Sequence, residues 1–251
     1  MLHYFATFKF LQKGSVVKST LAIIMIMLAL PCYAAERIII IPEIPRYYQK
    51  DGNGSYQQLM REILRRSGAS AELKNYPLSR ATVIFDKFKN ACYPVSLKLA
   101  AYVLGYKLIA TGESLNRFKI VIATLRGTAM VTSFDQIRGR SVAALPTADP
   151  AAYGYSASSL TVRFVNTHEQ GLKLLEAGKV DAMLGSVGDL IAYKDKLNYE
   201  DADPIYAVDE RLVCHPGAAS EAFLRKVDPA IRSMKADGSL KAILGEYYLQ
   251  D

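Results

Sequence analysis

The chain has 251 residues, 51% of them hydrophobic and 22% charged, with a formal charge of +7 and three cysteines. This is ordinary globular composition, long enough for one large domain or two small lobes. Its lysines and arginines are dispersed; the densest cluster, REILRR at 61–66, reads as a solvated helix face, and no aromatic-interleaved basic stripe marks a nucleic-acid surface.

At the N-terminus Lys9, Lys13 and Lys18 precede an uncharged apolar run at 21–30 (LAIIMIMLAL), which leads into PCYAAE. A basic segment, an apolar segment and small residues in that order predict a secretory signal covering 1–34, cleaved after Ala34. Ten apolar residues fall short of the about 20 that span a bilayer, so an uncleaved anchor ranks second. An internal start near Val17 or Lys18 is an open alternative, and Pro31 before Cys32 argues against lipoprotein processing. Cleavage removes three lysines and no acids, lowering the formal charge from +7 to +4, and leaves Cys92 and Cys214. In an oxidising compartment two cysteines can pair; the alternative is two small buried hydrophobes.

The mature chain opens on RIIII, a continuous apolar run ended by Pro42 that predicts a central strand buried on both faces. SYQQLMREILRRSG follows as a helix, with Tyr56, Leu59, Met60, Ile63 and Leu64 on one face, Ser55 as cap and Gly68 as stop. AELKNY, SRATVIFDKF and NACYPV then read strand, helix, strand, which completes a βαβαβ pattern. The polar TGESLN lies between two apolar β-like runs and reads as a crossover. SFDQIRGRSVAAL is a capped helix leading to a strand. LTVRFVN, EQGLKLLEAG and VDAML repeat the strand–helix–strand unit, matching 71–96 in length over 161–186 with little identity of letters. Two helical stretches separated by Gly238 close the chain.

A signal segment, two α/β units and a helical tail, with the segments GSYQQLMREILRRSG, FDQIRGRSVAAL, LLEAGKVDAMLGS and IRSMKADGSLKAILGEYY in order, resemble the family 3 periplasmic solute-binding proteins, the type II receptors of amino-acid ABC transporters. The resemblance covers roughly 36–250. It implies an α/β fold of two lobes, each a mixed, mostly parallel sheet flanked by helices, joined by two hinge strands near 111–117 and 207–210. Residues 35–112 and 208–251 would form lobe 1, and 113–207 lobe 2. The ligand would sit between lobes that close over it. The strand holding LVCH would return beside the one holding NACYP, which would make Cys92 and Cys214 neighbours able to form a disulfide.

The family's ligand signature is where this sequence departs. Amino-acid receptors usually end the strand matching VDAMLGS in an aspartate for the ligand ammonium; here that residue is Ser186. Asp189 is the substitute if a turn brings it inward, and otherwise a helix cap. The arginine expected after the third strand is absent, and Lys98 is the nearest cation, without the bidentate geometry of arginine. Arg80 starts a helix just past a strand end, a good place to capture an anion. Tyr47 and Tyr48 follow the first strand, Ser96 ends the third as Ser186 ends its counterpart, Thr147 and Asp149 follow SVAAL, and Arg117 lies at the crossover. The expected ligand contacts are therefore Tyr47, Tyr48, Arg80, Ser96, Lys98, Arg117, Thr147, Asp149 and Ser186. His168 and His215 read as surface or satisfied histidines.

The resulting expectation is a monomeric periplasmic receptor for a small polar solute, anionic or zwitterionic, delivering it to an ABC permease or a membrane sensor. No cofactor, metal or nucleic acid is expected. The alternatives are a protein-contact module that has lost solute binding, or an enzyme resembling the cyclohexadienyl dehydratases, for which Glu113 or Asp149 could be recruited.

Overall fold

The computed structural model describes residues 37–44, 47–155 and 159–249, without the side chains of Thr147 and Ala152; the predicted signal segment and its cleavage point lie outside the described residues. β1 (Ile38–Glu43) is buried on both faces, with Ile39, Ile40 and Ile41 fully enclosed. α1 (Ser55–Ser67) buries Tyr56, Leu59, Met60 and Ile63 and stops at Gly68, whose φ of 61° is a left-handed cap. Ser55 is not the cap that the sequence suggests. Gly54 takes that position, and the Gln57 side chain reaches back to accept the Gly54 N–H at 3.1 Å. Glycine is required there because a Cβ would overlap the backbone of Tyr47 and Tyr48.

β2 (Glu72–Pro77), α2 (Leu78–Lys87) and β3 (Ala91–Ser96) complete the first parallel unit. A further helix that the sequence reading leaves unassigned, α3 (Leu97–Leu104), starts directly after β3. Its N-cap is Ser96, whose hydroxyl accepts the Leu99 N–H at 3.3 Å. Then come β4 (Ile109–Ala110), β5 (Asn116–Leu125), β6 (Ser141–Ala144), β7 (Thr161–Phe164), α4 (His168–Glu176) and β8 (Ala182–Ser186). SFDQI forms only a short 3₁₀ turn, Phe134–Ile137, where the sequence suggests a full helix. α5 (Val187–Leu190), β9 (Leu197–Asn198), β10 (Tyr206–Cys214), α6 (Ala218–Ala236) and α7 (Ser239–Leu244) finish the chain.

The strands run in the order β2-β1-β3-β10-β5-β8-β6-β7. Read inward from the two edges, β2-β1-β3 and β7-β6-β8 are each parallel, and each meets an antiparallel long strand, β10 or β5. The repeated strand–helix–strand units thus occupy equivalent places in two lobes, and the molecule is two-lobed. Each lobe has its own apolar clusters: α1 and α6 pack on one side of the first lobe, α2 and α3 on the other, and α4 covers the second.

β10 and β3 place Cys214 directly opposite Cys92, both fully buried, and a disulfide joins them. The cross-link spans 122 residues of sequence and so encloses the whole second lobe. Constraining so long a loop in the unfolded chain is worth about 2–5 kcal/mol. Urea unfolding under reducing conditions, or of the Cys92→Ala/Cys214→Ala double variant, should lower the midpoint accordingly; an unchanged midpoint would assign the bond no stabilising role.

Candidate functional site

Residues from both lobes line the inter-lobe cleft. From the first lobe come Tyr47, Tyr56 and Tyr93; from the second, Ser186, Gly188 and Asp189; from the two long strands, Asn116, Arg117 and Glu210. The lobes meet here closely. A Cβ on Gly188 would overlap the Tyr47 hydroxyl, so the cleft is shut at this point and glycine is what permits it.

Ser96 and Ser186 do the same local job. Each ends the third strand of its lobe, and each hydroxyl caps the next helix, Ser186 accepting the Asp189 N–H at 3.2 Å. With Ser186 as the cap of α5, Asp189 lines the cleft. On its other side Asp189 lies 3.8 Å from His168 Nε2. His168, read from the sequence as a surface or satisfied histidine, is buried and its Nε2 has no hydrogen-bond partner among the described residues; burial pushes its pKa down although Asp189 opposes the shift. His215 is also buried and is satisfied, its Nε2 2.7 Å from the Phe85 carbonyl.

Of the residues expected to contact ligand, Tyr47, Arg117 and Ser186 line the cleft. Tyr48 is half-buried and packs on the first lobe's core. Ser96 is fully buried beneath α3. Arg80 is exposed in the first turn of α2, and Lys98 is exposed with its Nζ 5.3 Å from the Tyr206 ring centroid; neither is part of the cleft lining. Asp149 accepts the Ala151 N–H at 3.0 Å as the cap of a 3₁₀ turn. Thr147 belongs to the short turn Pro146–Ala148, and its side chain lies outside the described set. Glu113, a candidate acid for an enzyme, is paired with Arg232 at 2.8 Å and Lys235 at 3.2 Å.

The group that sequence reasoning passed over is Glu210. Asp209 and Arg211 flank it and pair with each other at 2.6 Å on the opposite face of β10, so strand alternation leaves Glu210 facing the cleft. The Tyr56 hydroxyl donates to Glu210 Oε2, and Tyr56 stacks on Tyr47 with ring centroids 4.4 Å apart. Burial pushes the Glu210 pKa up to about 7; the Asp189 charge adds to the rise and the Tyr56 hydrogen bond opposes it. Burial likewise drives the phenols of Tyr47, Tyr56 and Tyr93 upward, with the Glu210 charge reinforcing all three, so they are neutral donors at any physiological pH. Asn116 closes the floor. Its amide donates to the Tyr247 carbonyl at 2.7 Å and its oxygen accepts the Leu249 N–H at 2.8 Å, which fastens the C-terminal segment to β5.

By sequence, no family model and no curated protein matches the chain. By structure, a histidine kinase sensor domain with similarity to periplasmic binding proteins superposes with a TM-score of 0.67 at 18% identity, covering 86% of this chain and 98% of that one. The GluR0 ligand-binding core from Nostoc punctiforme, in complex with L-glutamate, gives 0.66 at 16% identity, covering 84% and 99%. An ancestral amino acid-binding protein, a precursor of cyclohexadienyl dehydratase, gives 0.65 at 14% identity, covering 85% and 94%. The fold is that of the two-lobed, type II periplasmic binding proteins. Within it this chain is a divergent example, alike in architecture and far apart in sequence.

Glu210 makes stability depend on pH with a definite sign. Its pKa is raised in the fold and returns to the ordinary carboxylate value on unfolding, so between about 4.3 and about 7 the folded state holds the extra proton. Its contribution is therefore greatest at low pH and is lost as pH rises through about 7. The groups facing it are Tyr47, Tyr56, Tyr93, Asp189 and Asn116. Glu210→Gln should unfold at a higher temperature than wild type at pH 8.5, with the gap closing towards pH 5; a gap independent of pH would place the titration elsewhere.

Proposed function

We propose that this protein captures a small polar organic solute between its lobes in the bacterial envelope and hands it, as a monomer, to a membrane permease or sensor. The single observation behind this reading is the cleft itself. Polar groups from both lobes and from both connecting strands converge on one enclosed space, and the two lobes touch across it at Tyr47 and Gly188. Closure around a small ligand excludes water, which strengthens every polar contact made inside, and presents a partner with a surface that the open form lacks. The structural neighbours with sensor and amino acid-binding roles are compatible with either delivery route.

A second reading, acid–base catalysis on a bound substrate, has one specific observation in its favour: Glu210 titrates near neutrality inside the cleft, as a proton donor or acceptor would. Turnover of a dehydratase substrate would select it; binding without turnover selects the receptor.

Native mass spectrometry of the protein purified from the periplasm should carry a small-molecule adduct that is released on denaturation. A clean apo mass, with no thermal shift across a metabolite panel, would remove the receptor reading. Closure is tested separately. Gly188→Ala should hold the lobes apart and raise the radius of gyration seen by small-angle scattering, and adding Tyr47→Phe should reverse part of that rise. Equal radii for Gly188→Ala and wild type would mean that the Tyr47–Gly188 contact does not set the closed state.

A further inference from the structure

We propose that the cleft is the polar half of a longer site whose other half is an apolar slot between α2 and α3. The solute it takes is a small amphiphile, with a polar head in the cleft and a hydrocarbon end in the slot. This rests on the reading of the cleft as a solute site and adds to it the apolar part of the solute.

The slot follows from where the two helices start. α2 begins at the last residue of β2 and α3 at the last residue of β3, so their first turns stand at the cleft and their axes lead away from it. Leu78, Thr82 and Phe85 recur on one face of α2, and Leu99 and Val103 on one face of α3 with Ala100 beside them. All six line the same space as Tyr47, Asn116 and Glu210, so cleft and slot are continuous. From Leu78 to Phe85 the helix advances two turns, a length of about 10 Å. Tyr93 and Val95, alternate residues of β3, pack with α2 and α3 and form the floor.

The two halves differ in chemistry. The cleft holds charges of both signs, Arg117 and Lys119 with Asp189 and Glu210, which suits a polar head. None of the residues that α2, β3 and α3 contribute to the lining is charged. The hydroxyls of Thr82 and Tyr93 are hydrogen-bonded to each other, so a water molecule in the slot finds few further partners and hydrocarbon is the better occupant. Phe85, Leu99 and Ala100 are buried, whereas Val103 is exposed, so the slot reaches the surface at its α3 end. Val83, Tyr102 and Val103 are three of the five large apolar side chains exposed among the described residues, and all three belong to these two helices. Apolar surface gathered in this way marks a place of contact, and its continuity with the cleft makes the solute the fitting occupant.

Calorimetry with three homologous series tests the assignment: butyrate, hexanoate and octanoate; butylamine, hexylamine and octylamine; alanine, norvaline and norleucine. In at least one series affinity should rise about fourfold per added methylene and level off once the slot is full. Ala100→Phe, which fills the slot, and Val103→Glu, which charges its exposed end, should each flatten that rise while leaving the shortest member's affinity unchanged. Circular dichroism checks that both variants fold, and Val103→Glu alters only an exposed position. Affinity independent of chain length in every series that binds would overturn the slot and leave the receptor reading intact, as would a rise that persists in both variants. Concentration-dependent dimerisation abolished by Val103→Glu, with no chain-length effect, would overturn it too and give the exposed apolar residues to a second copy. Absence of binding by every compound also overturns the slot. The receptor reading then stands or falls on the independent mass measurement of a retained solute.

Discussion

Strands β5 and β10 each have to satisfy two ladders at once within one continuous sheet, and the rest of the molecule is arranged around that constraint. β10 pairs with β3 through residues 210–214 and with β5 through 206–210, so Glu210 is the residue at which it passes from one ladder to the other. On one side Glu210 faces Ser96 and on the other Asn116. A backbone held on both sides has little freedom, and the side chain that it carries is presented at a fixed point on the floor of the cleft. Asn116, its partner on β5, fixes the C-terminal segment through both ends of its amide. The disulfide four residues further along β10 then pins this strand to β3 covalently. The junction between the lobes is thus held by two ladders, an amide clamp and a covalent bond, all within a few residues.

Against that rigid background the charges are costly to keep. A carboxylate in a pocket walled by buried tyrosines loses most of its hydration, and one hydrogen bond from Tyr56 restores only part of it. The cheaper solution for stability alone would be an amide or an apolar residue. The same holds for Asp189, set beside a buried histidine whose own ionisation burial disfavours. Charges retained at such positions are more readily understood as functional than as structural: Arg211, beside Glu210, pairs with Asp209, and Asp189 faces a histidine whose ionisation burial disfavours.

How much of this was legible from the letters depends on which physical rule each element obeys. The RIIII run, the amphipathic α1 and the paired strand–helix–strand units are governed by periodicity, and periodicity can be read directly. α3 was not, because SLKLAAYVL follows a strand without a break and its cap, Ser96, looks like the strand's last residue. The 3₁₀ turn at Phe134–Ile137 has a true capping box, but too few residues follow it to build a helix before Gly139. The cleft was harder still. Ser186 drew attention as the residue standing where a carboxylate is usual, and its hydroxyl turned out to serve the backbone. Asp189, three residues on, lines the cleft beside it, and the inward placement of Asp189 is made by the turn, which the letters do not specify. Glu210 sat inside the segment read as a hinge, hidden between Asp209 and Arg211. Only the pairing of those two across it on the far strand face shows that it points the other way.

The internal symmetry explains why the fold survives where the ligand signature does not. Ser96 and Ser186 are equivalent by position and by role, and so are the strands that they end and the helices that they cap. Those features are demanded by backbone hydrogen bonding and by core packing, which act on every protein of this architecture whatever it binds. Cleft residues are not so bound, because a polar side chain facing water-filled space can change with little loss of stability. Glu210 is the exception that ties the two together. It occupies a backbone position that the architecture cannot move and carries a side chain that the architecture does not need. A ligand engaging it would be held at the strand that joins the two lobes' ladders, the one place in the cleft whose backbone both lobes fix.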